Sequence, residues 1–368
     1  MPKPKRMTQR EIADALGVSI ITVQRALNNS GYVSPEMRER ILAYMQQVNY
    51  KPDRAAQILV RNETRTISLF SANRHAFFWD SISEGITRAA ERISMFGYQV
   101  RYHRLESART EDYLQALQVE IDDGAQAVGV VNHERFDMER VFQLLDTREI
   151  PYVTFNIDAP HSRRLCFVGA DYRAEGRLVA ELFGKFLSAG QKVAVLVYDM
   201  TGQSYPHATP ISELRLGGFA THLAAEYPQF EHFVVAIPFA AASTEITRQI
   251  DDLLERYQGE LSAIYCIPPI HAELCAVIEA KGLTNAIKLI APDLSPEIGT
   301  YLTRNLLTLE ISQNPMLQGF ATVLALARYL ETGTKPEPEL QYIDHSLVTK
   351  VNLDSHNKLT WLTGLGIE

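Results

Sequence analysis

The chain has 368 residues, of which 46% are apolar and 22% charged. That composition fits two or three soluble domains and excludes a disordered tail, and no window approaches the ~18 uninterrupted apolar residues of a membrane span. The net charge of −8 argues at face value against a nucleic-acid partner.

That charge is unevenly spread. Residues 1–65 hold 11 Lys/Arg against 6 acids, a net +5, which leaves −13 on the remaining 303 residues. A basic head on an acidic body is the asymmetry of a protein with an anionic partner at one end. The opening MPKPKRMTQR is positive, but no apolar stretch of a secretory signal follows it, so a cytoplasmic protein is expected. Cys166, Cys266 and Cys275 are too few and too scattered for a disulfide framework or a Cys-x-x-Cys site, and they fit a reducing compartment.

Short helices with clean boundaries open the chain. Thr8-Gln9-Arg10-Glu11 reads as a capping box that starts a helix running to Leu16. Gly17 permits a tight turn, and Ser19 caps a second helix through about Asn28. Ser34-Pro35 is a cap followed by proline at the first helical position, with Met37, Ile41, Met45 and Val48 at helical spacing behind it. Asp53 can cap a short fourth helix from Arg54 to about Val60.

From Thr66 onward short β-rich runs alternate with helical stretches. Predicted strands are Ile67–Phe70, Gln99–Tyr102, Ala127–Val131, Tyr152–Phe155, Cys166–Val168, Lys192–Val197, Phe233–Ile237, Ala263–Ile267 and Lys288–Ala291. Predicted helices lie near Ile82–Phe96, Glu111–Asp123, Met138–Leu145, Glu175–Ser188, Glu213–Glu226, Glu245–Arg256, Ala272–Lys281 and Met316–Leu330. Such alternation means parallel sheets covered by helices, and its length suits two sheets better than one. Lys335-Pro336-Glu337-Pro338-Glu339 reads as a short linker or turn.

Two helices joined by a Gly-centred turn can place the second in a DNA major groove. In Thr8–Asn28, Val18, Val23 and Leu27 would bury one face and leave Ile20, Ile21, Gln24 and Arg25 outside. The string from Thr8 to Asn28, with Asn49-Tyr50-Lys51-Pro52 and Ala56-Gln57-Ile58-Leu59 at the expected distances, resembles the LacI/GalR (lactose-repressor) family of bacterial transcription regulators. The likeness continues less specifically to about residue 353. It implies an N-terminal all-α helix-turn-helix DNA-binding domain (1–50), a hinge helix or linker (51–65) and an α/β two-lobed periplasmic-binding-protein-like effector domain (66–353). Its lobes would be about 66–170 with 297–331, and 171–296 with 332–353, leaving 354–368 as a tail.

The resemblance carries roles onto this chain. Ile20, Ile21 and Arg25 fall at base-reading positions. Arg25 can donate two bonds to a guanine edge, worth about 1–3 kcal/mol of discrimination, while the isoleucines meet thymine methyls. Gln24 adds an adenine contact or faces phosphate. Ser19, Thr22, Asn28 and Tyr50 are candidates for phosphate. Leu59 would wedge into the minor groove at the operator centre.

In the body, candidate effector contacts sit just past strands, where open α/β sheets bind ligands. His75, Phe77 and Phe78 precede Trp79 in a stretch similar to that of ribose-type binding proteins, with aromatic faces for a sugar ring. Asn132, Asn156, Asp158, Arg215, Asp293 and Gln313 offer amides, carboxylates and a guanidinium for paired bonds to adjacent hydroxyls. Pro268-Pro269-Ile270-His271 departs from the family pattern; His271 stands where another polar contact is usual, which leaves a non-sugar effector as an alternative.

The expected protein is thus a dimeric repressor with a double-stranded DNA operator and a small sugar or polyol as partners, with no membrane association, cofactor or metal. A transport-type sugar-binding protein would share the body and not the head. An enzyme on the same architecture would need a nucleophile, metal or nucleotide motif, and no G-x-S-x-G, H-E-x-x-H, Walker or G-x-G-x-x-G sequence is present.

Overall fold

The computed structural model describes residues 7–27, 31–48, 50, 64–72, 76–199, 211–238, 241–293 and 295–356. The chain divides into two compact units, residues 1–63 and 64–368.

Three helices form the described part of the first unit: α1 (Gln9–Leu16), α2 (Ile20–Leu27) and α3 (Pro35–Gln47). The Thr8–Glu11 capping box closes both ways, the Glu11 amide donating to Thr8 Oγ1 at 3.2 Å and the Thr8 amide to Glu11 Oε2 at 2.7 Å. Gly17 ends α1 in the left-handed region, φ 68°, where a side chain would be strained. Ser34 caps α3 through the Met37 amide, with Pro35 in the first turn. Ile12, Ala13, Val23, Ala26, Ile41 and Met45 form the shared core, with Val18, Leu27, Met37 and Tyr50 packed around it.

The second unit holds two six-stranded sheets. The first comprises β1 (Arg65–Ala72), β2 (Tyr98–Leu105), β3 (Ala125–Val130), β4 (Tyr152–Phe155), β5 (Phe167–Gly169) and β11 (Leu340–Tyr342). Their order is β11-β5-β4-β3-β1-β2, all parallel. The second comprises β6 (Lys192–Asp199), β7 (Glu231–Pro238), β8 (Leu261–Cys266), β9 (Lys288–Pro292), β10 (Leu309–Ser312) and β12 (Ser346–Val348). Here the order is β12-β10-β9-β8-β6-β7, parallel except for β12.

Strand alternation decides which helices cover which face. Ile67 and Leu69 join the core beneath α4 (Ala76–Ser94) and α12 (Pro315–Thr332). Phe70 and Ala72 join the core beneath α5 (Thr110–Asp122) and α6 (Met138–Thr147). In the second sheet Val193 and Val195 pack with α7 (Tyr172–Phe186) and α8 (Ile211–Glu226). Ala194 and Leu196 pack with α9 (Ser243–Arg256), α10 (His271–Ala280) and α11 (Pro296–Thr303). A short α13 (Leu353–His356) follows.

Among the described residues the chain crosses between the sheets three times: from β5 to α7, from β10 to α12, and from β11 to β12. The second crossing lies at residues 313–314, not near 297, and the third lies past β11, not near 332. Both expectations are corrected by short elements that the pattern did not resolve. Strand β10 pairs with β9 and keeps residues through 312 in the second lobe. Strand β11 pairs with β5 and keeps residues through 342 in the first. Strand β10 has Glu310 inside it and β11 has two of its three residues exposed, so neither presents the apolar run that marks β4 and β5.

Candidate functional site

On the head, α2 buries Val23 and Ala26 and turns the opposite face outward. Ile20 is 40% and Ile21 55% exposed, and Gln24 and Arg25 are exposed beside them. Two exposed isoleucines on a helix whose other face has a full core are out of place on a solvated surface and suit an apolar contact in a groove. Ser19 is used locally: its Oγ accepts from the Thr22 amide at 3.1 Å and pairs with Thr22 Oγ1 at 2.8 Å. Gln24 reaches Gln9 at 3.4 Å. Tyr50 is half-buried against the head core, its amide donating to the Met45 carbonyl. Asn28, Leu59 and His75 lie outside the described residues, as do residues 51–63 of the expected hinge; Arg65 at its end opens β1.

In the body, the structure gathers Asn156, Arg215, Asp293 and Gln313 where the crossings pass between the sheets. Asn156, Asp293 and Asn314 follow the ends of β4, β9 and β10 with φ of 61°, 69° and 49°. This left-handed conformation is one that Asn and Asp tolerate better than other side chains. Gln313 is the hub. Its Nε2 donates to Asp293 Oδ1 at 2.5 Å, and its Oε1 accepts from Tyr172 at 3.0 Å, Asn156 at 3.2 Å and Gln318 at 3.1 Å. Asn156 Nδ2 also reaches Tyr172 and Gln318, at 3.1 and 3.3 Å.

The three crossings are thereby tied together. Tyr172 begins the helix after the first, and Gln313 lies in the second. Asn314 bonds Ser346 at 3.1 Å and the Asp344 carbonyl beside the third. Glu175, two turns from the first crossing at most, faces His345 in the third at 3.6 Å.

Arg215 is 4% exposed and held on three sides. Its Nε lies 2.9 Å from Glu175, its Nη2 3.8 Å from Asp293, and its guanidinium sits 5.1 Å from the centre of the Tyr172 ring. Burial alone would lower its pKa, but Glu175 and then Asp293 hold it above the ordinary range. Burial would likewise raise Glu175, but Arg215 and then His345 keep its carboxyl below the ordinary range. Nη2 is shut from solvent and makes no hydrogen bond. A buried guanidinium nitrogen without an acceptor is a place for a ligand oxygen.

Other predicted contacts have different occupations. Asp158 is committed to Arg164 by two bonds, 2.5 and 2.9 Å, and accepts from Thr154 at 2.8 Å. Asn132 donates to the Asp158 carbonyl at 2.8 Å. These two brace the loops after β3 and β4 rather than join the Arg215 group. Phe77 is 39% exposed, Phe78 is half-buried against the first-lobe core, and Trp79 is buried edge-on to Phe155 at 6.4 Å. His271 opens α10, and its Nε2 is sealed without a hydrogen bond; burial pushes its pKa down to about 4.

Tyr172, Glu175, Tyr265, Gln318 and His345 were not picked out from the sequence. The available signal was glycine. A Cβ at Gly176 would overlap the Arg215 carbonyl, and one at Gly218 the Arg173 carbonyl. This close seating of α7 on α8 brings Glu175 to Arg215.

Residues 8–53 match the family described as bacterial regulatory proteins, lacI family, and residues 68–335 match the periplasmic binding protein domain. The ribose operon repressor of Bacillus subtilis (strain 168) is 33% identical over 112 residues, 30% of this chain and 33% of that protein. The similarity therefore spans about a third of that relative's length. The sucrose operon repressor of Pediococcus pentosaceus is 26% identical over 281 residues, 74% of this chain and 76% of that protein. The structure of AraP, an arabinose binding protein from Geobacillus stearothermophilus, matches with a TM-score of 0.67 at 16% identity, covering 80% of this chain and 99% of that one. That last likeness is one of fold.

Proposed function

The chain belongs to the periplasmic binding protein domain family and carries a lacI-family regulatory domain at residues 8–53, and on that premise we propose that it is a DNA-binding transcriptional repressor controlled by a small sugar or polyol. The observation that carries the reading is the pairing of two separate units. One exposes Ile20 and Ile21 on a helix whose opposite face is already buried, and the other has a buried, unsatisfied guanidinium between two sheets.

Two copies bind a near-palindromic operator in the cytoplasm, each laying α2 in a major groove. Arg25 reads guanine, Ile20 and Ile21 meet thymine methyls, and Gln24 borders them. Thr22 and Tyr50 contact phosphate; Ser19, whose hydroxyl caps α2, acts through the helix start. Leu59 opens the minor groove at the centre. The +5 head makes this binding steeply salt-dependent, and the −13 body stays off the duplex.

In the body, Arg215 and Asp293 hold ligand hydroxyls, Phe77 and Phe78 offer a stacking face, and Asn156 and Gln313 transmit closure. A ligand that touches both lobes favours one lobe arrangement over another. This shifts the population of operator-competent dimers by its differential affinity for the two states. No helix among the described residues is long and apolar enough to cross a membrane.

Selection of duplexes from a random pool, followed by titration, tests the reading. Full-length protein should enrich a two-fold symmetric site, and a chain lacking residues 1–62 should lose it while still binding a sugar in calorimetry. Arg25→Ala should relax base preference at one position in each half-site. Enrichment of no sequence would overturn the DNA assignment. A small-molecule screen with hits only among nucleobases or non-sugar acids would overturn the sugar.

A further inference from the structure

We propose that Glu175 sets the chemical class of the effector, making the site around Arg215 one for uncharged polyhydroxy compounds and closing it to sugar acids; this rests on the sugar-effector reading above. Glu175 is fully buried, with no exposed surface. Its Oε1 lies 2.9 Å from Arg215 Nε and accepts from the Tyr265 hydroxyl at 3.1 Å. Asp293 brings a second carboxylate to 3.8 Å from Nη2.

One guanidinium and two carboxylates sum to a formal −1 with His345 neutral, its ring lying 3.6 Å from the other Glu175 oxygen. Arg215 keeps its donors, since Nη2 still lacks an acceptor, but it is already matched as a charge. A hydroxyl oxygen can accept from Nη2 and bring no charge with it. A ligand carboxylate in the same place would lie beside Asp293 and beside Glu175, which is fully buried, so that little water intervenes to screen the repulsion on the Glu175 side.

Stability alone does not account for a glutamate at this point. A buried ion pair is often no more stabilising than apolar residues of the same volume. The surrounding chain is nonetheless shaped to hold it. The α7–α8 contact closes at Gly176 against the Arg215 carbonyl, the neighbour in sequence of Glu175 against the backbone of its ion-pair partner. Tyr265, on the central strand β8, is buried with its hydroxyl on the same carboxylate. The rest of this helix–sheet layer is apolar, with Val193, Val195 and Ile290 on the sheet and Val179, Phe183 and Phe219 on the helices.

Calorimetric titration of the full-length protein with D-ribose, D-glucose, D-galactose and D-fructose, against D-ribonate, D-gluconate, D-glucuronate and D-galacturonate, tests this. The wild-type protein should bind at least one neutral sugar ~10-fold or more tighter than the acid of the same skeleton, a difference of about 1.4 kcal/mol. Glu175→Gln should move that ratio toward the acid ~10-fold or more, and Glu175→Asp, which keeps the charge, should leave the preference for the neutral sugar. A purely structural role would weaken both ligands together in Glu175→Gln, and that result overturns the inference. So does a wild-type preference for an acid. Should Glu175→Gln fail to fold, Asp293→Asn must move the ratio the same way, and an unchanged ratio overturns it. Wild-type protein that binds none of the eight compounds overturns the sugar reading and this inference with it, whereas a neutral sugar bound with an unaltered ratio in Glu175→Gln sinks this inference alone.

Discussion

The two lobes of the body are built alike and furnished differently. Each is a mainly parallel sheet between helix layers, and in each a glycine admits the backbone of a neighbouring helix. Gly85 on α4 meets the Met316 carbonyl of α12, and Gly176 on α7 meets the Arg215 carbonyl of α8. Beside the first contact lie Ile82, Ile86 and Phe320. Beside the second lies the Glu175–Arg215 ion pair. The first lobe buries a glutamate too, but Glu120 is away from the crossings. It accepts from Ser68 at 2.6 Å and pairs at 3.2 Å with Arg101, whose side chain is 27% exposed. Identical architecture thus supplies an apolar wall from one lobe and a charged grip from the other. The difference resides in which residues occupy the helix faces nearest the crossings, and in the Tyr265 hydroxyl that β8 turns toward Glu175.

The largest test of that contrast is Arg215→Ala. It leaves Glu175 buried without its partner and should cost about 3–5 kcal/mol in urea unfolding, as well as sugar binding. Adding Glu175→Gln to the same chain should recover part of the stability. Arg101→Ala should cost a small fraction of that, because Glu120 keeps Ser68. Equal losses in the two lobes would break the comparison.

His271 gives the second lobe a pH dependence. Its ordinary pKa is 6.5 and burial lowers it to about 4 in the folded chain. Below pH 6.5 the unfolded chain takes up a proton that the folded chain refuses until about pH 4. Its contribution is therefore complete above pH 6.5 and is lost as pH falls across that window, by at most about 3 kcal/mol. His271→Gln should flatten that part of a stability–pH profile; an unchanged slope would show that the ring is open to water.

Gly85→Val and Gly176→Val test the shared part of the design. Each forces apart two backbones and should cost about 1–3 kcal/mol by thermal unfolding, alike in both lobes. The smallest effect belongs to Phe77→Ala. Its ring is 39% exposed, so stability should change by less than about 0.5 kcal/mol while sugar affinity falls. Unaltered affinity would remove Phe77 from the site.

The three described helices of the head were legible in the sequence. Thr8, Gly17, Ser34 and Pro35 act through local backbone chemistry, and the 3.6-residue spacing of Ile41 and Met45 needs no distant partner to be read. In the body the longer strands and helices were legible for the same reason. Helix α4 starts at Ala76, six residues before the Ile82 that the spacing predicts, because Phe77-Phe78-Trp79 is a continuous aromatic run without helical periodicity. The elements after residue 295 were the harder part. Strand β10 carries a buried Glu310 among apolar neighbours, which hides it from a search for apolar runs. Of the candidate ligand contacts, Asn156, Arg215, Asp293 and Gln313 converge, while Asn132 and Asp158 brace loops. A side chain's place after a strand predicts that it lies near the site and not which way its bonds go.

By itself, then, the sequence determined a basic helical head, an acidic α/β body, and a set of polar residues at strand ends. Each follows from interactions within a few residues: caps, turns, and the periods of helix and strand. Only the tertiary structure decided where the chain crosses between lobes, that Gln313 joins Asn156 and Tyr172 to Asp293, and that Glu175 stands against Arg215. Those are pairings over 16 to 157 positions, made by the packing of sheets and glycine-seated helices. No local pattern encodes a partner that the fold brings from so far along the chain.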